Sequence, residues 1–321
     1  MREIILSFPK QFKIGFKAAK GIKVLGNFKK LLICGMGGSA LPGEVLKIWL
    51  KEKEIKLPVE IHRNYSLPFN VDKKTLTIII SYSGNTEETL SAFKKARREK
   101  LKLVAITSGG NLLKICKRSK VPLVVVPKSY PPRLALGFLF SSLMKVLTNS
   151  KIIRGISREI LSLESKIKLK KLEKEGKNLA KKLKQKILLI YAPEKICVLA
   201  KIWKINFNET SKVPSFYNCF PELNHNEIVG FESFGKNFHT ILFIDKSQNP
   251  KILKREILTA KILKEKAVES SFVFLKGKGV LPKIFSNVIL GNWVSYYLAL
   301  EHKKDPLEEK LIAEFKKKMK V

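Results

Sequence analysis

The sequence has few of the side chains that usually bind metals or cross-link chains. Its 321 residues include four cysteines and four histidines. Cys34, Cys116, Cys197 and Cys219 form no CxxC pair, so their spacing predicts neither a zinc site nor a disulfide framework. No HExxH or GxxxxGK[ST] pattern occurs, which argues against a zinc-binding helix and a P-loop. We therefore expect reduced, mostly buried cysteines in a cytoplasmic protein that uses no metal.

Long apolar runs are also absent. No apolar stretch approaches the roughly 20 residues that a membrane-spanning helix needs. The N-terminal segment is interrupted by Pro9 too soon for a signal peptide. Hydrophobic residues make up 45% of the chain. These features predict a globular protein without a membrane, large enough for two domains.

Acidic side chains are scarce, with 27 Asp and Glu against 63 Lys and Arg, so the formal net charge is +36. Such a charge suggests a polyanionic partner, and nucleic acid has to be considered. Within residues 166–186 the lysines alternate with Leu and Ile at helical intervals, which is typical of a solvated helix face. No zinc-finger spacing or aromatic RNA motif accompanies them. We expect weak nucleic-acid binding at most, without specificity.

One polar stretch, residues 81–89 (SYSGNTEET), stands between a predicted strand at 75–80 and a predicted helix from 90. At a helix start the first backbone N–H groups lack internal partners, and the helix dipole favours an anion. The hydroxyls of Ser81, Ser83 and Thr86 add further donors, so the stretch predicts a pocket for a phosphate monoester. The alternative is an ordinary helix N-cap formed by Asn85 or Thr86.

Other polar loops also follow predicted strands in the first half. The Gly-rich turn at 35–40 follows a strand at 31–34, and the loops at 108–111 and 129–133 follow two more. Taken alone, a Gly-rich turn is often just a tight turn. Alternating strands and helices predict a parallel sheet, and all these loops leave the carboxyl ends of its strands, where ligands bind in such sheets.

The second half repeats the alternating pattern without a Gly-rich hydroxyl loop after its first strand. Strands are predicted at 187–191, 239–244 and 271–275. The predicted fold class is therefore α/β with two doubly wound parallel-sheet domains, over residues 1–150 and 151–321. Only the first domain is expected to bind phosphate.

The second half offers a carboxylate and an imidazole instead. Glu209 ends a helical pattern, and His225 lies in the polar loop at 221–228. Such a pair suits proton transfer near neutral pH. A surface glutamate and a histidine hydrogen-bonded within a polar turn are the alternatives.

Seven motifs occur together and in order: CGMGGSA, ISYSGNTEETL, AITSGGNL, PPRLALGFLF, NFNETSKVPSF, PELNHNEIVGF and GNWVSYYLALEHKKDP. They closely resemble the archaeal and bacterial bifunctional phosphoglucose/phosphomannose isomerases, which are built from two sugar isomerase (SIS) domains. The resemblance implies reversible conversion of fructose 6-phosphate into glucose 6-phosphate and mannose 6-phosphate, in glycolysis and gluconeogenesis. It also implies a homodimer without a cofactor.

The resemblance implies a role for each matching residue. It implies phosphate binding and sugar positioning by Gly38, Ser39, Ser81, Ser83 and Thr86. Arg133 would face the developing negative charge and Glu209 would be the base, through a cis-enediolate. His225 would open the sugar ring and would come from the partner subunit. A C-terminal lysine is matched to Lys316, with Lys317 and Lys318 left open.

Other classes of protein remain as alternatives. A SIS-domain sugar-phosphate sensor that regulates transcription would carry a helix-turn-helix segment, and no segment is predicted for one. An aminosugar synthase would need a glutaminase domain with an N-terminal nucleophilic cysteine, whereas residue 2 is Arg2. A nucleic-acid-binding protein is supported by charge alone.

Overall fold

The structure is a computed structural model and describes residues 1–128, 130–233 and 235–319. Its strands are β1 Lys30–Cys34, β2 Val59–His62, β3 Thr75–Ser81, β4 Leu103–Thr107, β5 Leu123–Val125, β6 Ile187–Pro193, β7 Ser215–Phe220, β8 Phe238–Ile244 and β9 Glu269–Phe274. Its α-helices are α1 Arg2–Ser7, α2 Lys10–Ala18, α3 Leu41–Glu52, α4 Glu87–Arg98, α5 Gly110–Arg118, α6 Leu136–Asn149, α7 Ser157–Leu161, α8 Leu163–Lys166, α9 Leu169–Lys182, α10 Cys197–Asn206, α11 Pro250–Glu265, α12 Val280–Glu301 and α13 Lys310–Lys318.

The first compact unit comprises Leu6–Ile167 together with Gly279–Pro282. Its five strands are all parallel, in the order β2-β1-β3-β4-β5. Every residue of β3 is buried, as its β-branched apolar sequence predicts for a central strand with both faces covered. On one face, Phe93 of α4 and Leu112 of α5 pack with Leu32 and Ile79 of the sheet. This buried sheet holds its carboxyl-end loops on a rigid base.

The second unit comprises Met1–Ile5, Lys168–Lys278 and the described residues from Lys283 onward. Its four parallel strands run in the order β7-β6-β8-β9. Leu263 of α11 and Leu242 of β8 belong to the core on one face. Trp203 of α10 donates its indole N–H to the carbonyl of Asn287 in α12, at 2.8 Å. Each unit is thus a parallel sheet covered by helices.

The predicted fold class of two doubly wound parallel-sheet SIS-type domains is confirmed. The seven strands noted above are present, with ends shifted by a few residues, and so is β2, which the sequence predicts as a weak strand at 59–62. The boundary between the two compact units lies after Ile167. The division at residue 150, with a sugar-phosphate site in one half and catalytic residues in the other, stays a prediction.

Two local features differ from expectation. The apolar side chains spaced through residues 1–28 predict a single helix, but the structure has two, α1 and α2, on either side of Pro9. Strand β7 was not predicted. It is an edge strand whose Phe216 and Tyr217 are exposed, so it lacks the buried apolar run that identified the other strands.

The expectation that all cysteines are reduced is wrong for one pair. Cys197 and Cys219 form a disulfide, with their Cα atoms 5.9 Å apart. Topology brings them together, because Cys197 begins the helix that follows β6, and Cys219 lies on β7 beside Ala192 of β6. Cys34 and Cys116 are free and buried, as expected, and burial raises the pKa of the Cys34 thiol to about 12.

The lysine-rich segment folds as predicted, as a solvated helix. Helix α9 buries only Gly176 and Ala180 among its residues. Gly176 lies so close to α12 that a β-carbon there would stand 2.5 Å from the Cβ of Trp293. The lysines of α9 therefore surround a narrow contact stripe and face solvent. Among helices in the described ranges, none has the length and apolarity to cross a membrane.

Candidate functional site

The loop after β3 is shaped by its first hydroxyl. Ser81 is 0% exposed, and its Oγ accepts a hydrogen bond from the backbone N–H of Gly84 at 3.1 Å. The same Oγ lies 3.0 Å from Oγ1 of Thr86. Ser81 therefore holds the turn and orients Thr86, and it has no surface left for a ligand to approach from solvent.

Thr86 and Ser83 are the accessible hydroxyls of this loop. Thr86 occupies the N-cap position of α4, yet its side chain makes no capping hydrogen bond. Its hydroxyl turns to Ser81 instead. Ser83 is exposed and accepts from the N–H of Asn85 at 3.3 Å. The capping alternative thus receives no support, and the first turn of α4 keeps the N–H groups that suit an anion.

Glycines press this loop against the loop after β4. Gly84 has a φ of +71°, and a β-carbon there would stand 1.8 Å from the carbonyl oxygen of Gly109. A β-carbon on Gly110 would stand 2.4 Å from the carbonyl oxygen of Ser83. Asn85 Oδ1 also accepts from the N–H of Asn111 at 2.9 Å. Because only glycine fits at these contacts, the two loops form a single rigid cradle.

The Gly-rich turn after β1 joins the same cradle. Ser39 is buried, and its Oγ accepts from the backbone N–H of Tyr82 at 3.0 Å. A β-carbon on Gly38 would stand 2.9 Å from the carbonyl oxygen of Pro132 and 3.4 Å from the Cα of Arg133. The Arg133 side chain is 3% exposed. The turn at 35–40 is therefore an interlocking part of the site as well as a tight turn.

Tyr82 is a part of the site that the sequence did not identify. Its phenol donates to the carbonyl of Pro127 at 2.6 Å and accepts from the N–H of Tyr130 at 3.2 Å. Burial raises the pKa of Tyr82 to about 12, so the phenol stays protonated at neutral pH. It ties the loop after β3 to the loop after β5. No sequence pattern distinguishes such a tyrosine from an ordinary core residue.

Six predicted site residues of the first unit therefore come together at the carboxyl edge of its sheet: Gly38, Ser39, Ser81, Ser83, Thr86 and Arg133. Their roles divide by exposure. Ser39 and Ser81 are buried and brace the loops, whereas Ser83 is open to solvent and Thr86 is half-buried. Accessible hydroxyls at a helix N-terminus are suited to bind a phosphate group.

Glu209 lies in a turn of π-helix, Phe207–Ser211, that follows α10. Its side chain is half-buried. Lys212 ends the turn in the left-handed region, with a φ of +58°. The Lys212 ammonium donates to the carbonyls of Glu209 and Glu308, both at 2.6 Å. The turn is thereby joined to the segment before α13, and a carboxylate on so well braced a turn can work as a fixed base.

His225 and Lys316 lie on other elements of the second unit. His225 ends a 3₁₀ turn, Glu222–His225, and is exposed. Lys316 is exposed on α13, where Lys318 pairs with Glu314 at 2.8 Å. The choice among the C-terminal lysines stays a prediction. Across the described residues, no group of three or more His, Cys, Asp or Glu side chains is arranged to hold a metal ion.

Two family models match the chain. The SIS domain model matches residues 25–128, which include the cradle. The model of the bacterial phospho-glucose isomerase C-terminal SIS domain matches residues 172–319, which include Glu209, His225 and Lys316. Each matched segment contains one of the two parallel sheets.

Individual proteins extend these matches. A bifunctional phosphoglucose/phosphomannose isomerase of Caldicellulosiruptor bescii is 34% identical over 99% of this chain and 98% of its own length. A D-glucosamine-6-phosphate 4-epimerase of Sulfolobus acidocaldarius is 35% identical over 64% of this chain and 65% of its own. The solved C-terminal domain of glucosamine-fructose-6-phosphate aminotransferase from Francisella tularensis has the same fold, with a TM-score of 0.72, 15% identity and coverage of 95% and 97%.

Two parallel sheets, each within a segment that a SIS family model matches, and similarity along almost the whole length lead to one conclusion. This chain belongs to the bifunctional phosphoglucose/phosphomannose isomerase family of two-SIS-domain phosphosugar isomerases.

Proposed function

We propose that this protein interconverts fructose 6-phosphate with glucose 6-phosphate and with mannose 6-phosphate. The observation that carries the proposal is the glycine-packed cradle, in which Ser83 and Thr86 offer hydroxyls at an uncapped helix start. A phosphate held there is remote from C1 and C2 of the sugar. Its binding energy can therefore fix the reacting carbons while taking no part in the chemistry.

The reaction moves a carbonyl group between C1 and C2. Glu209 takes the proton from C2 and returns it to C1, and the electrons of the broken C2–H bond form a cis-enediolate between the two steps. In that intermediate the proton of the C2 hydroxyl passes to the oxygen on C1. Arg133 stabilises the oxyanion of that intermediate. His225 assists ring opening by proton transfer to the ring oxygen. Both C2 epimers are accepted when rotation about C2–C3 presents either proton to the same base.

A homodimer with His225 supplied by the partner subunit is part of the proposal, and it rests on the family resemblance. The exposed position of His225 agrees with a role outside its own fold unit. Mixing inactive Glu209→Gln protein with inactive His225→Ala protein is expected to restore activity, because each hybrid dimer has one site with both groups. Failure to recover activity after confirmed subunit exchange would assign His225 to its own chain.

A second candidate reaction is supported by one comparison. The epimerase relative acts on a phosphosugar at C4, and it is as similar as the isomerase relative over the part of the chain that it covers. Epimerisation at C4 would leave the carbonyl at C1 and convert glucosamine 6-phosphate into its C4 epimer. The two candidates therefore differ in the carbon whose configuration changes.

The deciding experiment offers the purified protein each phosphosugar separately and follows the products by NMR. We expect fructose 6-phosphate to yield glucose 6-phosphate and mannose 6-phosphate, with solvent deuterium entering at C1 or C2. Glucosamine 6-phosphate is expected to return unchanged. Conversion of glucosamine 6-phosphate alone would replace the isomerase proposal with the epimerase. Binding of all these sugars without turnover would favour the sensor alternative.

A further inference from the structure

A carboxylate beside the His225 turn is held by two strands at once. Glu227 begins the 3₁₀ segment Glu227–Glu232, two residues after His225. Its Oε1 accepts from the phenol of Tyr191 at 2.5 Å, and its Oε2 accepts from Nδ2 of Asn218, also at 2.5 Å. Both oxygens of the carboxylate are therefore engaged, with two neutral donors that come from the sheet below.

The two donors are fixed by the sheet. Tyr191 of β6 and Asn218 of β7 are register partners in neighbouring parallel strands, so their side chains emerge on the same face. Tyr191 is 1% exposed. The Asn218 amide is oriented by its Oδ1, which accepts from the N–H of Cys219 at 2.7 Å. The donors form a fork whose spacing matches the two oxygens of one carboxylate.

The Tyr191 phenol of this fork keeps its proton at the pH of ordinary assays. Burial, together with the charge of Glu227 and the hydrogen bond to it, raises the pKa of Tyr191 well above its ordinary value. The phenol therefore donates to the carboxylate in neutral and alkaline solution alike. A pH-dependent loss of the contact is not expected on the tyrosine side.

The rest of the turn is also attached, except for the imidazole. Leu223 is buried in the core of the second sheet. Asn224 donates from Nδ2 to Oγ1 of Thr259 in α11 at 2.8 Å, and Asn226 donates from Nδ2 to Oε1 of Glu222 at 2.9 Å. His225 remains exposed between these attached neighbours. The contacts of its neighbours thus hold the turn in place while the His225 side chain stays exposed.

We infer that Glu227 is a positioning residue for His225: Tyr191 and Asn218 hold its carboxylate, and the carboxylate fixes the turn that presents the imidazole. The inference rests on the proposed role of His225 in the reaction. A catalytic role for Glu227 itself fits the geometry poorly, because a base must exchange a proton through an oxygen that is open to substrate, and both oxygens already accept.

Substitution by glutamine and by alanine distinguishes positioning from charge. In Glu227→Gln the carbonyl can accept from Asn218, and the amide N–H can donate to the oxygen of Tyr191, so both contacts survive without the charge. We expect this variant to keep most of its kcat. Glu227→Ala loses both contacts, and kcat is expected to fall on the order of 10²-fold through misplacement of the imidazole, with KM little changed.

The control and the contrary outcomes are equally specific. Glu232→Ala truncates an exposed carboxylate at the other end of the same 3₁₀ segment, and activity is expected to stay near wild type. A Glu227→Gln protein as inactive as Glu227→Ala would show that the charge itself is needed, and would overturn the positioning role. Full kcat in Glu227→Ala would overturn it as well. Tyr191→Phe, which removes one hydroxyl only, is expected to lie between and guards against misfolding of the alanine variant.

Amide hydrogen exchange separates this inference from the proposed function. Without any substrate, exchange in residues 222–232 is expected to be faster in Glu227→Ala and near wild type in Glu227→Gln. Unchanged exchange in Glu227→Ala would mean that the carboxylate does not hold the turn. If the wild-type protein converts none of the phosphosugars, the proposed function fails, and the exchange measurement still decides whether Glu227 fixes this turn.

Discussion

The central strands β3 and β8 have corresponding places in the two sheets, and they end differently. Strand β3 leads into α4 through Thr86, whose side chain does not cap the helix. Strand β8 leads into α11 through Asn249, whose side chain accepts from the N–H of Lys251 at 2.9 Å. One helix start therefore has no side-chain cap, whereas the other is capped by the protein itself.

The side chains at these two strand ends also differ, because charged groups follow β8 and hydroxyl groups follow β3. Asp245 follows β8, and its carboxylate accepts from Nζ of Lys283 at 2.9 and 3.1 Å. Burial alone would raise the pKa of Asp245, but the hydrogen bonds from Lys283 and Ser247 lower it overall, so an internal ion pair fills this position. The first sheet has the hydroxyl cradle there instead. The same fold can thus leave a group of polar loops open in one copy and fill the matching position with an ion pair in the other.

The largest effect is expected at Glu209, the proposed base in the second unit. Glu209→Gln keeps the size of the side chain but cannot accept the proton from C2, so kcat is expected to fall about 10³-fold or more, with substrate still bound. Solvent deuterium exchange at C2, followed by NMR, measures the step directly. Glu222→Gln is the matched control and is expected to change little. Exchange near the wild-type rate in Glu209→Gln would transfer the role to another residue, with His225 tested first.

The next largest effect is expected at Ser83 and Thr86, the hydroxyls proposed to bind phosphate in the first unit. Ser83→Ala combined with Thr86→Ala is expected to raise KM about 10²-fold, because two hydrogen bonds to a charged group are lost, with little change in thermal stability. Asn249→Ala is the counterpart on the second sheet and should show the reverse: about 1 kcal/mol less stability from the lost cap and an unchanged KM. A double variant that melts earlier but keeps its KM would reduce the two hydroxyls to structural groups.

The cysteines provide a third contrast between the units. The Cys197–Cys219 disulfide, with a sequence separation of 22, is expected to contribute about 3 kcal/mol to the free energy of unfolding by restricting the unfolded chain. Cys197→Ser should lower the melting temperature accordingly. Cys116→Ser, in the first unit, should not remove a cross-link. Thiol titration of the unreduced, denatured protein is expected to find two free thiols, and four would contradict the pairing.

A pH effect is expected from a buried acid of the second unit. Burial raises the pKa of Glu256 from its ordinary 4.5 to about 8. Because the folded state holds this proton more tightly than the unfolded state, the stability contributed by the neutral acid is lost progressively as pH rises from about 4.5 to 8. Glu256→Gln keeps a neutral group and should flatten that decline. The free energy of unfolding of both proteins is measured by denaturant titration across this pH range. An equal decline in the two proteins would contradict the assignment.

The smallest expected effect concerns metal. We expect activity on fructose 6-phosphate to be unchanged after EDTA treatment, because Arg133 and the cradle supply the positive charge that the enediolate and phosphate need. The measurement is the coupled assay before and after chelation, with added Mg²⁺ as the control. Loss of activity in EDTA that Mg²⁺ restores would contradict the metal-free route.

Local sequence patterns predicted the sheets but missed features set by contacts between distant segments. Buried β-branched runs such as residues 75–80 identified β3, since a central parallel strand has a nearly continuous apolar sequence. Exposed β7 lacked that signal. The sequence could not show that Ser81 braces the loop while Ser83 is open to solvent. Both are serines in one loop, and only their burial in the folded structure distinguishes them.

The sequence by itself determined two α/β halves, the polar loops at the carboxyl ends of the strands in the first half, and the family to which the chain belongs. Strand and helix periodicity and the turn residues are local properties, so they can be read in order along the chain. The tertiary structure decided which glycines allow the loops of the cradle to pack closely, and that Cys197 forms a disulfide with Cys219. It also decided that Tyr191 and Asn218 donate hydrogen bonds to Glu227. These contacts join residues that the order of strands in the sheets makes neighbours, and strand order is a property of the packed core.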